Sequence, residues 1–123
     1  MFEVEADKSK NLLKITFSRH VAPDEAKSCA EKVKALLSNI QPGFRLLMDL
    51  SGLESMDVAC ATYIGKTMDW CNKRGVSRVL RVIPDPHKDI GLNIMSLFHY
   101  RHGLPIVTCD SLKEALENLA AET

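Results

Sequence analysis

The sequence predicts one α/β domain, of order β-β-α-β-α-β-α-β-α, with a mixed, mostly parallel sheet covered by helices. Three observations predict it. Residues 2–5 and 13–17 alternate apolar and polar side chains around a polar segment, the signature of a hairpin. From Pro23 onward, stretches with apolar residues every three or four positions alternate with short apolar runs, the order of a sheet with helical crossovers. The run Leu46, Leu47, Met48 has no polar alternation, as expected of a strand covered on both faces. Right-handed crossovers then leave the strands after the hairpin parallel to one another.

In the hairpin, Leu13, Ile15 and Phe17 alternate with Lys14, Thr16 and Ser18, so one face is buried. Pro23 and Asp24 start the first helix, and Ala26, Cys29, Ala30, Val33, Leu37 and Ile40 share one face. Gln41, Pro42 and Gly43 end it before the central strand, residues 45–50. A second helix over about residues 58–73 is expected to bury Cys60, Ala61, Ile64, Met68 and Cys71, and Gly75 terminates it. After a strand at 78–83, Asp85 and Pro86 start a third helix, whose apolar face reads as Ile90, Ile94, Leu97 and Phe98. A short strand at 104–108 follows. Ser111 and Glu114 make a capping box for a last helix with the stripe Leu112, Ala115, Leu116 and Leu119.

Length and composition bound the function. The 123 residues, 46% of them hydrophobic, suit a single domain spanning residues 1–123 with one core. Sixteen basic and sixteen acidic residues cancel, so nucleic acid and anionic membranes are not favoured partners. No apolar run approaches the roughly 18 residues of a membrane span, and the N-terminus lacks the pattern of a secretory leader. Cys29, Cys60, Cys71 and Cys109 form no C-x-x-C, so reduced thiols and a cytoplasmic location are expected.

The chain is organised around the junction between the central strand and the second helix. Asp57 stands where a carboxylate can accept from the free N–H groups of a helix start. In order, Asp49, Leu50, Ser51, Leu53, Met56, Asp57 and, eighteen positions on, Gly75 make a pattern that resembles the STAS domain of bacterial anti-sigma-factor antagonists. The order of elements extends the resemblance to nearly the whole chain. It implies a non-catalytic regulatory module in bacterial transcription control, without a cofactor, that docks a protein partner such as a kinase-like anti-sigma factor. It also implies that the docking surface is the switch loop, here Ser51, Ser55, Asp57, Val58, Ala59 and Cys60. The family carries a phosphorylatable serine or threonine in this loop. This chain has Ala59 at that place, preceded by Val58 and followed by Cys60 instead of glycine, so phosphorylation is not expected to switch it there.

Other residues carry competing readings. Cys60, in the first turn of a helix, could be a thiol activated by the helix dipole and hence a redox sensor, or a buried member of the apolar stripe. Tyr63 and Trp70, seven residues apart beside that stripe, could mark a partner or homodimer interface, or widen the buried face. His99 and His102 are three apart but have no third ligand nearby, so no metal is expected. A lipid or nucleotide bound beside the altered loop is the alternative to protein binding. No P-loop, G-x-G-x-x-G, G-x-S-x-G or H-E-x-x-H occurs, which favours a binding protein over a common enzyme.

Overall fold

The computed structural model describes residues 1–85 and 91–121. Five strands form one sheet in the order β1-β2-β3-β4-β5, with β1 Phe2–Asp7, β2 Leu12–Val21, β3 Arg45–Met56, β4 Arg78–Val82 and β5 Ile106–Cys109. Among the described residues only the β1/β2 pair is antiparallel; β2/β3, β3/β4 and β4/β5 are parallel, as the alternation of strands and helices requires. The helices are α1 Pro23–Leu37, α2 Ala61–Arg74, α3 Leu92–His99 and α4 Leu112–Ala121. This is the expected mixed, mostly parallel α/β domain.

The sheet divides the interior in two. The larger core joins Leu13, Ile15, Leu46, Met48, Leu50 and Val79 of the sheet to the stripes of α1 and α2. The smaller one holds Leu47, Leu80, Val82 and Cys109 against Ala115 and Leu119 of α4. In β3 Leu46 and Leu47 therefore face opposite cores and are both fully buried, which explains why this strand shows no polar alternation.

Local chemistry sets the ends of the helices. Pro23 opens α1, and the Glu25 carboxylate accepts from the Ala22 N–H at 3.2 Å. Gly75 closes α2 at φ 96° in the left-handed region, and a Cβ there would stand 3.3 Å from that of Pro42. Ser111 accepts from the Glu114 N–H at 3.1 Å, while the Glu114 carboxylate reaches back to the Asp110 N–H at 2.8 Å.

Three expectations need correction. β3 does not stop at Leu50 but runs to Met56, because β2 is long enough to pair with it through Val21↔Met56. Two register shifts absorb the irregularity of that pairing, and Arg19 between them takes φ 57°. Ala61 and Leu116, assigned to buried stripes, are exposed; Gly65 and Thr67 are buried on α2 instead. The largest departure is α3, where Ile94, Leu97 and Phe98 are 65%, 78% and 79% exposed. The helix buries Leu92 and Ser96, and Ile90 and the start at Pro86 lie outside the described residues.

Candidate functional site

The junction of β3 and α2 is built by backbone pairing on one side and a carboxylate cap on the other. The Asp57 N–H donates to the Val21 carbonyl at 3.1 Å, which closes the β2/β3 ladder. The Asp57 side chain turns the other way and accepts from the Ala59 N–H at 2.9 Å, capping a 3-10 turn, Val58–Cys60, that leads into α2. The capping role expected for Asp57 is what the geometry shows.

The turn presents two residues outward and one inward. Val58 is 89% exposed, the highest value of any large hydrophobic side chain among the described residues, and Ala59 beside it is exposed too. Cys60 is fully buried, and its Sγ–H donates to the Val21 carbonyl at 3.5 Å. Burial, and then the nearby Asp57 charge, push its thiol pKa above the ordinary value. That shift is opposite to the one a reactive thiolate needs, so the geometry disfavours the redox reading.

Ser51 and Ser55 stand on the extended end of β3 rather than in a loop. The Ser51 hydroxyl donates to Asp49 Oδ1 at 2.6 Å, and the Ser51 N–H donates to the same oxygen at 3.0 Å. Ser55 Oγ lies 2.7 Å from His20 Nδ1. Each hydroxyl thus has a local structural partner. Ser51, Ser55, Asp57, Val58 and Ala59 form one exposed ridge from the strand end to the helix start, with Cys60 beneath it.

Beside this ridge a groove of about 300 Å³ opens between the start of α2 and α3, lined by Met56, Asp57, Val58, Ala61, Ile64 and Met95. Its walls are mainly aliphatic, with Asp57 at the rim. Tyr63 and Trp70 point elsewhere: both are half-buried against the large core, and Lys34 of α1 places its ammonium 5.2 Å from the Trp70 ring.

Sequence reasoning missed the residues that set α3 beside the ridge. Arg81, fully buried on β4, donates to Asn93 Oδ1 at 3.0 Å and to the Ser96 hydroxyl, so it ties the helix to the sheet. The signal was an arginine inside the otherwise apolar run Val79, Leu80, Val82. Gly65 of α2 lets α3 come close, since a Cβ there would lie 2.9 Å from His99 Nε2. The His99 ring is held in that place by a 2.7 Å contact from Nδ1 to Asp69 Oδ1. His99 is therefore a packing residue. Among the described residues no group of three or more His, Cys, Asp or Glu could hold a metal ion, and no helix is long and apolar enough to cross a membrane.

No known family model matches the chain, and no curated protein matches its sequence. Solved structures do resemble it. The Bacillus cell fate determinant SpoIIAA in its phosphorylated form is 12% identical, with a TM-score of 0.61 over 97% of this chain and 99% of that one. An uncharacterised DUF3478 protein from Shewanella loihica with a SpoIIAA-like fold is also 12% identical, with a TM-score of 0.72 over 96% and 93%. An anti-sigma factor antagonist from Mycobacterium paratuberculosis is 15% identical, with a TM-score of 0.60 over 98% and 95%.

Proposed function

We propose that this chain, which has the SpoIIAA-like or STAS fold, is a non-catalytic regulatory module in transcription control that docks a protein partner on the ridge from Ser51 to Cys60. The observation that carries the reading is Val58, 89% exposed at the rim of an aliphatic groove. An aliphatic side chain held in water by a capped turn gains free energy when a partner covers it, and the adjacent groove accepts what the partner brings.

Ala59 defines the mode of control. Phosphate at a helix start would interact strongly with the dipole and the free N–H groups, but Ala59 has no hydroxyl to accept it. The module is accordingly not switched at that position. The bonds of Ser51 to Asp49 and of Ser55 to His20 give those hydroxyls structural work. The partner class suggested by the anti-sigma factor antagonist of the same fold is an anti-sigma factor, and the family resemblance of the sequence implies a kinase-like one.

Affinity capture from a bacterial lysate, with wild type compared to Val58→Asp, Ala59→Ser and Ala59→Asp, tests the reading. Wild type is expected to retain an anti-sigma factor that Val58→Asp loses by at least about tenfold, because the new carboxylate must be desolvated on docking. Ala59→Ser should bind and become a substrate for the captured kinase, and Ala59→Asp should release it. Capture unchanged by Val58→Asp would place the partner surface elsewhere.

A further inference from the structure

The two edges of the sheet differ in how they are protected. β1 carries Glu3, Glu5 and Asp7 among six residues, the kind of charged edge that discourages pairing with another chain. β5 reads Ile106, Val107, Thr108, Cys109, three of them β-branched and none charged. Its inner side is satisfied: the Pro105 and Cys109 carbonyls accept from the Val79 and Ile83 N–H groups, both at 2.9 Å. In the parallel register Val79↔Ile106 to Val82↔Cys109, these bonds turn Val107 and Cys109 toward β4. The N–H and C=O groups of Ile106 and Thr108 therefore point out of the sheet. The next outward N–H, that of Asp110, is already taken by the Glu114 carboxylate at 2.8 Å.

A groove of about 460 Å³ lies along this edge, lined by Ile94 and Leu97 of α3 and by Leu104, Ile106 and Thr108. Ile94 and Leu97 are 65% and 78% exposed. We propose that β5 is a docking edge for a second copy of this chain, which pairs through its own β5 in antiparallel fashion about a two-fold axis at Val107.

Three features select a second copy. The outward groups are self-complementary, because two residues with one residue between them allow Ile106 to exchange both backbone bonds with Thr108 of the copy, and the reverse. The flanking charges favour the antiparallel sense. Arg101 precedes the strand, and Asp110, Lys113 and Glu114 follow it and leave that end net acidic, so antiparallel pairing brings the basic end of one copy to the acidic end of the other. A formal net charge of zero leaves no overall repulsion between copies. The result is a ten-stranded sheet across the dimer, with Ile94 and Leu97 of each α3 beside the seam.

A seam of four residues is a small interface, so the dimer should dissociate at about 10–1000 μM. Sedimentation velocity of the full chain up to about 1 mM is expected to show a monomer–dimer equilibrium in wild type. Thr108→Lys, at an exposed position whose inward contacts are unchanged, should weaken it by at least about tenfold. Val107→Cys supplies an independent readout: at a non-hydrogen-bonded antiparallel pair the two Cα atoms stand about 4.5 Å apart, within disulfide reach. Under oxidised glutathione it should form a covalent dimer, while Ile106→Cys, opposite Thr108 of the copy, should not. A protein that stays monomeric at every concentration overturns the proposal. So does a dimer indifferent to Thr108→Lys that gives no Val107→Cys cross-link, since it would use another face.

Discussion

Helices α1 and α3 carry the same kind of apolar periodicity and meet opposite fates. In α1, Ala26, Cys29, Ala30, Val33 and Leu37 are all buried. In α3, Ile94, Leu97 and Phe98 face solvent, and the buried residues are Leu92 and Ser96. The difference lies in what each helix is attached to. α1 packs on α2 and the first strands, so its apolar side closes the large core. α3 sits toward the β4/β5 end and is held by Leu92 and Met95 on the large core together with polar ties, Arg81 to Ser96 and Asn93 and His99 to Asp69, which leaves Ile94, Leu97 and Phe98 outward. A helical period shows that a helix has two faces; only the attachment decides which one is covered.

The largest effect should come from Val33, fully buried at the centre of the α1 stripe. Val33→Ala is expected to cost about 2 kcal/mol in urea unfolding, from lost apolar burial and the residual cavity. A loss below about 0.5 kcal/mol would mean the α1 stripe is packed no more tightly than a surface.

A smaller effect is expected at the seam between α2 and α3. Gly65→Ala should improve helix propensity by about 1 kcal/mol, yet the new methyl meets the His99 ring that Asp69 holds. We expect a net loss of about 1 kcal/mol, and recovery of the propensity gain when Gly65→Ala is placed in a His99→Ala background. Additive effects in that double-mutant cycle would show that the ring does not set the spacing.

The smallest effect should come from the exposed stripe. Phe98→Ser, at a side chain 79% exposed, should change stability by no more than about 0.5 kcal/mol. If the thermal midpoint falls as far as in Val33→Ala, the two helices are not different in kind.

The candidate site was legible to different degrees along its length. Asp57 could be recognised as a cap because capping is local: a short carboxylate, one turn and a free N–H suffice. The strand beyond Leu50 could not, because Ser51 and Gly52 have the composition of a turn and their extended state depends on β2 remaining alongside. Cys60 had two readings in sequence, activated or buried, and the Val21 carbonyl and the enclosing core decide for burial. Val58 was expected in the switch loop at the start of the second helix, and its exposure follows from the 3-10 turn that precedes α2. Gly65 carried no local signal, and the arginine in the apolar run of β4 signalled a buried charge without naming its partners, since both residues act on groups far away in the chain.

The sequence by itself determined the number, type and order of the elements, the parallel sense of the sheet after the hairpin, the central place of β3 and the missing hydroxyl at Ala59. Those properties follow from periodicity, turn chemistry and residue identity, which operate within a few positions of one another. The tertiary structure decided which face of α3 is wet, how far β3 extends, where Cys60 points and which sheet edge is left open. Each of these depends on groups brought together from separate elements, Ser18 against Gly52, Arg81 against Ser96, Gly65 against His99, and no local pattern encodes such a meeting.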